Sequence, residues 1–313
     1  MNIVFAEPIG LTLPQRDSFT NEMNVLGHNV KYYDGLPIDQ IDLLSRTVDA
    51  EVLVLSNYKV TDKVIEKSLN LKMIAVAFTG VDHIPMDLCK SKGIVVCNAA
   101  GYSTQAVAEL TISLAINLLR RIVPFDHSTR IGGTRSGYLG GELSGKTFGI
   151  FGFGAIGERV AKLAQAFGCT VIAWSRSIKV IDGVEFVPLE QLLQKSDIVS
   201  LHLPLNNSTR GLINSKSIGL MKSNAFLINT ARGPIVDYSD LTSALNAERI
   251  AGAAIDVYDH EPPIELNHPL FKAPNAILLP HIGFATHEAI EERSGIVLQN
   301  IRNWMIGSPT NSF

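Results

Sequence analysis

Little in this chain marks it for the cell exterior, a membrane or a nucleic acid. It holds three cysteines, Cys89, Cys97 and Cys169. The number is odd and no C-x-x-C occurs, so a disulfide framework has no basis and buried thiols in a reducing cytosol are the economical reading. No stretch approaches the roughly 20 apolar residues of a membrane span. The start, Met1 to Glu7, has no basic n-region and too short an apolar run for a signal peptide, and a cytoplasmic location is expected. Net charge is only −3, which gives no electrostatic footprint for nucleic acid or anionic membrane. The local basic spot of Arg120, Arg121, Arg130 and Arg135 reads as solvated or subunit-facing surface. Internal repeats, low-complexity segments and a metal-ligand pattern are also missing. What remains is a chain of 313 residues, 46% hydrophobic and 18% charged, long enough for two domains with large cores.

Glycine placement organises the rest. Gly152-Phe-Gly154-Ala155-Ile156-Gly157 follows a short apolar run containing Phe148, Ile150 and Phe151. After it, Ile156, Val160, Leu163, Ala164 and Phe167 fall at helical spacing, with Gly168 where a helix should stop and Thr170 to Trp174 as a second strand. A lone G-x-G-x-x-G is a weak signal; strand, glycine turn, helix and strand together form the unit that holds a dinucleotide pyrophosphate. Gly152 permits the tight turn, Gly154 lets backbone approach phosphate, and Gly157 lets helix pack on strand. The helix N-terminus, carried by Ala155 and Ile156, offers free N–H groups and a positive dipole end.

Strands alternate with helices on both sides of this unit. Asn2–Phe5, 29–33, 51–55, 72–77 and 94–97 read as strands with helical patterns between them, and no glycine fingerprint follows the first (Ala6-Glu7-Pro8-Ile9-Gly10). Residues 103–121 form a helix apolar nearly all round, which must be buried between lobes or in a subunit interface. Residues 122–146 read as an arm or long loop. Further strands are expected at 197–203, 225–229, 252–257 and 276–279, and a closing helix at 285–306 with Thr286 as cap. The expected fold is α/β: two doubly wound, Rossmann-like parallel-sheet lobes with a cleft between them.

A dinucleotide site beside a second lobe suggests hydride transfer. That chemistry needs an acid/base for the proton on oxygen and a cation for a carboxylate or carbonyl. Three turns directly after apolar strands supply strong groups: Arg232 in Asn229 to Asp237, Glu261 in Asp256 to Pro263, and His281 in Leu279 to Thr286. Each alone could be a solvated turn residue. Three at corresponding strand ends of one sheet make coincidence a poor account.

These segments, with Gly80-Val-Asp-His-Ile84, Gly101 to Glu109 and Asp197-Ile-Val-Ser-Leu-His202-Leu-Pro204, resemble the D-isomer-specific 2-hydroxyacid dehydrogenase family from about residue 50 to Asn311. The resemblance implies that residues 1–98, completed by 285–313, form the substrate (lid) domain. Residues 99–284 would be the inserted dinucleotide-binding Rossmann domain, through which the enzymes are usually homodimers. It makes Arg232 the ligand of substrate carboxylate and carbonyl, His281 the acid/base, and Glu261 the partner that orients His281 and stabilises its imidazolium. Backbone N–H groups around Thr79 and Gly80 would hold the carboxylate, and Asp256 the nicotinamide amide. His202, Pro204, Thr230, His281 and Gly283 would complete the cofactor contacts. The chain departs from common patterns at Ala100, at Leu279, and in lacking a tryptophan in the 122–146 arm.

NAD sites usually place an acid at the end of the second strand for the ribose 2′-hydroxyl. Here Trp174-Ser175-Arg176-Ser177 offers a cation and two hydroxyls, which suit a 2′-phosphate; NADP(H) is favoured over NAD(H). The expected function is reduction of a small 2-keto acid such as glyoxylate or hydroxypyruvate. Phosphoglycerate dehydrogenase is the alternative within the class, although Leu55 stands where an arginine would meet the phosphate. A dinucleotide-sensing, corepressor-like binding protein is the alternative outside it, disfavoured by the lack of a basic region.

Overall fold

The computed structural model of the chain describes every residue except Ile178, Glu261 and Pro262. The polypeptide divides into two compact units, Met1–Ser103 with Thr286–Phe313, and Thr104–Ala285.

The first unit runs β1 (Asn2–Phe5), α1 (Leu13–Val25), β2 (Asn29–Tyr32), α2 (Gln40–Thr47), β3 (Val52–Leu55), α3 (Asp62–Lys67), β4 (Met73–Val76), α4 (Met86–Ser91) and β5 (Val95–Asn98). Its five strands are all parallel, in the order β2-β1-β3-β4-β5. β3 and β4 are buried throughout, which is why they read as unbroken apolar runs rather than alternating ones. Helix starts follow local chemistry. Thr12 and Gln15 form a capping box on α1, and the Asp39 carboxylate accepts the Ile41 and Asp42 N–H groups at 2.8 Å at the head of α2. The last helix, α11 (His287–Met305), also belongs here. Thr286 caps it through the Ala289 N–H, Arg302 meets Glu22 of α1 at 2.8 Å, and the tail pairs with β5 through Asn98 N–H to the Asn311 carbonyl.

The second unit contains α5 (Thr104–Arg120), α6 (Ile122–Arg130), β6 (Thr147–Phe151), α7 (Ala155–Ala166), β7 (Thr170–Trp174), β8 (Val184–Phe186), α8 (Leu189–Lys195), β9 (Ile198–Leu201), α9 (Ser215–Leu220), β10 (Phe226–Asn229), α10 (Tyr238–Asn246), β11 (Gly252–Ile255) and β12 (Ala276–Leu278). Seven parallel strands order as β12-β11-β10-β9-β6-β7-β8. The chain lays down β6, β7 and β8 in one direction, then returns across β6 to place β9 on its other side. Apolar cores cover both faces of the sheet, one built on α5 and α7 and the other on α8, α9 and α10. Two elements differ from the sequence reading. The arm expected over 122–146 begins as α6, none of whose residues is buried, so it leaves no apolar periodicity in the sequence. β8 is a three-residue edge strand, too short to show a pattern.

Candidate active site at the carboxyl edge of the second sheet

Register decides which residues share an edge. Phe151 pairs with Trp174 on one side and Leu201 on the other. Leu201 pairs with Asn229, Asn229 with Ile255, and Ile255 with Leu278. One row therefore crosses six strands, and the residues just past it are Gly152, Ser175, His202, Thr230, Asp256 and Leu279. Arg232 and His281 follow three residues after β10 and β12. The strand order reverses between β6 and β9, and crevices at such a switch point are where open α/β sheets bind ligands.

At that switch point the glycines have separate reasons. Gly152 has φ +102°, and a Cβ there would stand 2.5 Å from the His202 carbonyl oxygen. A Cβ on Gly157 would lie 2.2 Å from the Gly152 carbonyl oxygen, so helix and turn could not close. Gly154 is different: its backbone is extended and a Cβ would meet nothing within 4 Å. Neither conformation nor protein packing demands glycine at Gly154, and open space before a helix N-terminus fits a pyrophosphate. Ala155 and Ile156 open α7, whose first backbone bond comes from Glu158 N–H to the Gly154 carbonyl. The Glu158 carboxyl in that first turn is held low by hydrogen bonding to Lys162, with Lys179 also at 3.6 Å.

The neighbouring strand ends are firmly set. The Ser200 hydroxyl and His202 Nε2 are 2.8 Å apart, and burial drives the imidazole pKa down to about 3, which keeps it neutral. Thr230 is buried with its hydroxyl 3.2 Å from that of Thr111 on α5. Pro204 lies exposed in the loop after β9, where its carbonyl accepts the Thr209 hydroxyl. Ser175 is half-buried at the end of β7, and Arg176 and Ser177 beyond it are exposed.

The turn bearing Arg232 is built from below. Asn229 Nδ2 donates to the Arg232 carbonyl at 3.0 Å, and Asn229 Oδ1 accepts the Ala231 N–H. Tyr238 donates its hydroxyl to the Val257 carbonyl, tying this turn to the next. Gly233 is required because a Cβ would sit 2.0 Å from the Tyr258 backbone. The His281 turn has its own clamp, which sequence reading did not find. Asp256 is 1% exposed, and its two oxygens accept the Ile282 and Gly283 N–H groups, each at 2.8 Å. His281 itself has φ +59°, the left-handed region that costs a non-glycine residue energy, and Asp256 holds it there. The His281 ring lies edge-on to Phe284, centroids 5.2 Å apart. Burial, with the Asp256 charge adding, raises the nearby Tyr258 phenol to about 12. Only the folded structure shows that Asp256 meets Ile282 and Gly283, 26 and 27 positions on; the acid at a strand end was the one signal the sequence offered.

Thr79 and Gly80 belong to the first unit, in the loop after β4, Thr79 exposed and Gly80 half-buried. Asn98 donates to the Thr79 carbonyl at 2.6 Å. Glu261 lies outside the described residues. Among the described residues no group of three or more His, Cys, Asp or Glu is placed to hold a metal, and no helix is long and apolar enough to cross a membrane.

Residues 112–283 match the model of the NAD-binding domain of D-isomer specific 2-hydroxyacid dehydrogenases. The chain is 42% identical over 268 residues to the glyoxylate reductase of Thermococcus litoralis, covering 82% of this chain and 80% of that protein. The chain belongs to the D-isomer specific 2-hydroxyacid dehydrogenase family. This dehydrogenase is also 40% identical to the hydroxypyruvate reductase of Thermotoga maritima, across 83% of this chain and 86% of the relative. It is 40% identical to the D-3-phosphoglycerate dehydrogenase of Methanocaldococcus jannaschii, across 85% of this chain but 52% of that longer protein. Among solved structures, an acyclic imino acid reductase in complex with NADPH and D-Arg superposes with a TM-score of 0.92 at 30% identity over the full length of both chains. As a family member the chain is an oxidoreductase that uses a nicotinamide dinucleotide, and the expected fold of two Rossmann-like parallel sheets holds.

Proposed function

We propose that this dehydrogenase reduces a small 2-keto acid, glyoxylate or hydroxypyruvate, to the D-2-hydroxy acid with NADPH. The observation that carries the reading is the placement of Arg232, Asp256 and His281 after three adjacent strands of one sheet, in register. When bound, the nicotinamide supplies the hydride to C2 of the keto acid. Arg232 grips the carboxylate and polarises the carbonyl, since a guanidinium can make two parallel hydrogen bonds to a carboxylate. His281 protonates the nascent alkoxide and takes the proton back in reverse. Glu261 is its orienting carboxylate in this reading. The Thr79 and Gly80 N–H groups serve as further carboxylate donors, and Gly283 and Pro204 line the cofactor. Asp256, which clamps the His281 turn through the Ile282 and Gly283 N–H groups, is in this reading also the acceptor for the nicotinamide amide.

Arg176, exposed beside Ser175 and Ser177 at the end of β7, supports NADP(H) over NAD(H), because the sequence from Trp174 to Ser177 holds no acidic residue for the ribose 2′-hydroxyl. Homodimer formation through the second unit is supported by the uncovered α6. It is supported too by a 330 Å³ groove, lined by Ile112, Ile116, Ile122, Leu163 and Phe167 among others. Three buried, unpaired thiols suit the cytoplasm. A panel of 2-keto acids, including hydroxypyruvate and 3-phosphohydroxypyruvate, assayed with NADPH and with NADH tests the reading. Turnover of glyoxylate or hydroxypyruvate is expected to exceed that of the phosphorylated acid. The reverse order would make it a phosphoglycerate dehydrogenase, and no turnover of any would leave a binding protein.

A further inference from the structure

The first sheet has a switch point of its own, between β1 and β3, and a side chain of the protein fills it. Glu7, 1% exposed, follows β1. One carboxylate oxygen accepts the Ser56 N–H at 2.6 Å and the Tyr58 N–H at 3.1 Å in the loop after β3. These are the backbone donors an anionic ligand would take at such a point. Burial leaves the Glu7 carboxyl raised, although the N–H bonds and the charge of Arg293 act the other way. Arg293, 6% exposed on α11, donates to the Ile9 carbonyl at 2.9 Å, and Tyr102 hydrogen-bonds it with its ring 5.8 Å from the guanidinium. Gly10 lets α11 approach: with φ +85°, it leaves no room for a Cβ, which would sit 2.3 Å from Ile290. Tyr102 in turn packs on Phe78, centroids 6.3 Å apart, at the head of the Phe78–Gly80 loop.

Two buried ionisable groups and a phenol, from the segment after β1, from α11 and from the segment before α5, therefore converge under two loops. A well-packed apolar cluster would hold those elements at no desolvation cost. What these groups add is fixed backbone direction in the loops.

We propose that Glu7 is a positioning residue for the substrate loops of the first unit: with Arg293 and Tyr102 it sets Ser56–Tyr58 and Phe78–Gly80, so that the Thr79 and Gly80 N–H groups are held ready for the substrate carboxylate. The inference rests on the 2-keto acid reading above. It assigns a function to the Ala6–Gly10 segment, which carries no dinucleotide fingerprint.

Glu7→Gln and Tyr102→Phe, in the full-length enzyme, test it by steady-state kinetics with glyoxylate and by NADPH binding. In Glu7→Gln, KM should rise by about tenfold, the worth of one charged hydrogen bond. Its kcat should stay within about threefold and the NADPH Kd within about twofold of wild type, because the hydride and proton groups lie in the other unit. Tyr102→Phe removes one hydroxyl, so it keeps the test alive should Glu7→Gln fail to fold, and its KM should rise by about threefold. A lowered melting temperature with unchanged KM in either folded variant would show a structural staple only and overturn the proposal. An unmodified enzyme that reduces no 2-keto acid would sink the underlying reading and this proposal together, a result distinct from an active wild type with indifferent variants.

Discussion

At the residue scale the site rests on a few groups whose neighbours dictate what replacement should do. His281→Ala should lose about 10²- to 10⁴-fold in kcat, the usual worth of a positioned acid/base, while NADPH still binds. Near-normal turnover in stopped assays would remove His281 from the proton path. Arg232→Lys should be almost as damaging as Arg232→Ala, with KM and kcat both affected, since a point charge cannot replace a bidentate fork; a fully active lysine variant would exclude that role. Arg176→Ala should weaken NADPH by about tenfold and leave NADH nearly unchanged, the low end of a charged contact because the residue is exposed and screened by salt. Ser175→Asp should move preference toward NADH. An unmodified enzyme that prefers NADH by kcat/KM would make Arg176 a solvated or adenine-stacking residue. Much of this was legible from sequence, because a functional group directly after an apolar strand needs no partner to be noticed. The Asp256 clamp was not, since it depends on Asp256 and Gly283 meeting across a register the sequence does not show.

At the scale of elements, legibility followed burial. β3, β4, β9 and β11 are buried at every residue, so each announced itself as an apolar run. α5 announced itself because nine of its residues are buried. α6 buries none, so its sequence carries no periodicity to set it apart from an arm or long loop. Its start is marked instead by backbone strain, with Arg121 at φ +50° breaking α5, and its only visible sequence device is an Asp126–Arg130 pair at 2.8 Å. Polar ties between elements were likewise invisible. Asp197, just before β9, accepts the Thr147 N–H at the head of β6 and the Lys222 ammonium before β10, both at 2.8 Å. Burial acts to raise its pKa, but those two hydrogen bonds together with the charges of Lys222 and Lys146 outweigh it and the carboxyl is net lowered. A depressed folded value means the tie is complete above the ordinary aspartate pKa of 3.8 and is lost as pH falls through the folded value. Asp197→Asn should therefore lower stability by about 1–2 kcal/mol near neutral pH. The gap in melting temperature to wild type should be constant above about pH 3.8, begin to narrow below it and close once the pH has fallen past the depressed folded value. A gap that stays constant down that range would mean that lost packing, not lost charge, is what the variant reports.

At the scale of the whole molecule, the question is what covers the apolar surface that the fold leaves out. Ile122 is 46% exposed, Val123 56%, Ile131 74% and Leu139 86%, all within the single stretch between α5 and β6. Ile122 also lines the groove along α5 and α7, whose other apolar residues are Ile112, Ile116, Leu163 and Phe167. Scattered apolar residues need no explanation on a monomer, but four large ones in one stretch, the first of them lining an apolar groove, call for one. In the dimer proposed above a second copy would be the cover, because a two-fold interface lets each arm and each groove be used once by the partner. Net charge of −3 sets up little repulsion between copies. Such an interface must bury roughly 1,000 Å² or more in total to persist. Light scattering on the eluting protein should accordingly give twice the 34.0 kDa of one chain. Placing charges in the run, with Ile122→Asp and Ile131→Asp together, should shift the mass to one chain, since a buried unpaired carboxylate costs several kcal/mol on each side of a two-fold. The variant should keep NADPH binding, because neither residue lies on the carboxyl edge of the sheet. A single-chain mass for the unmodified enzyme at micromolar concentration would refute the dimer and leave the arm a solvated surface feature.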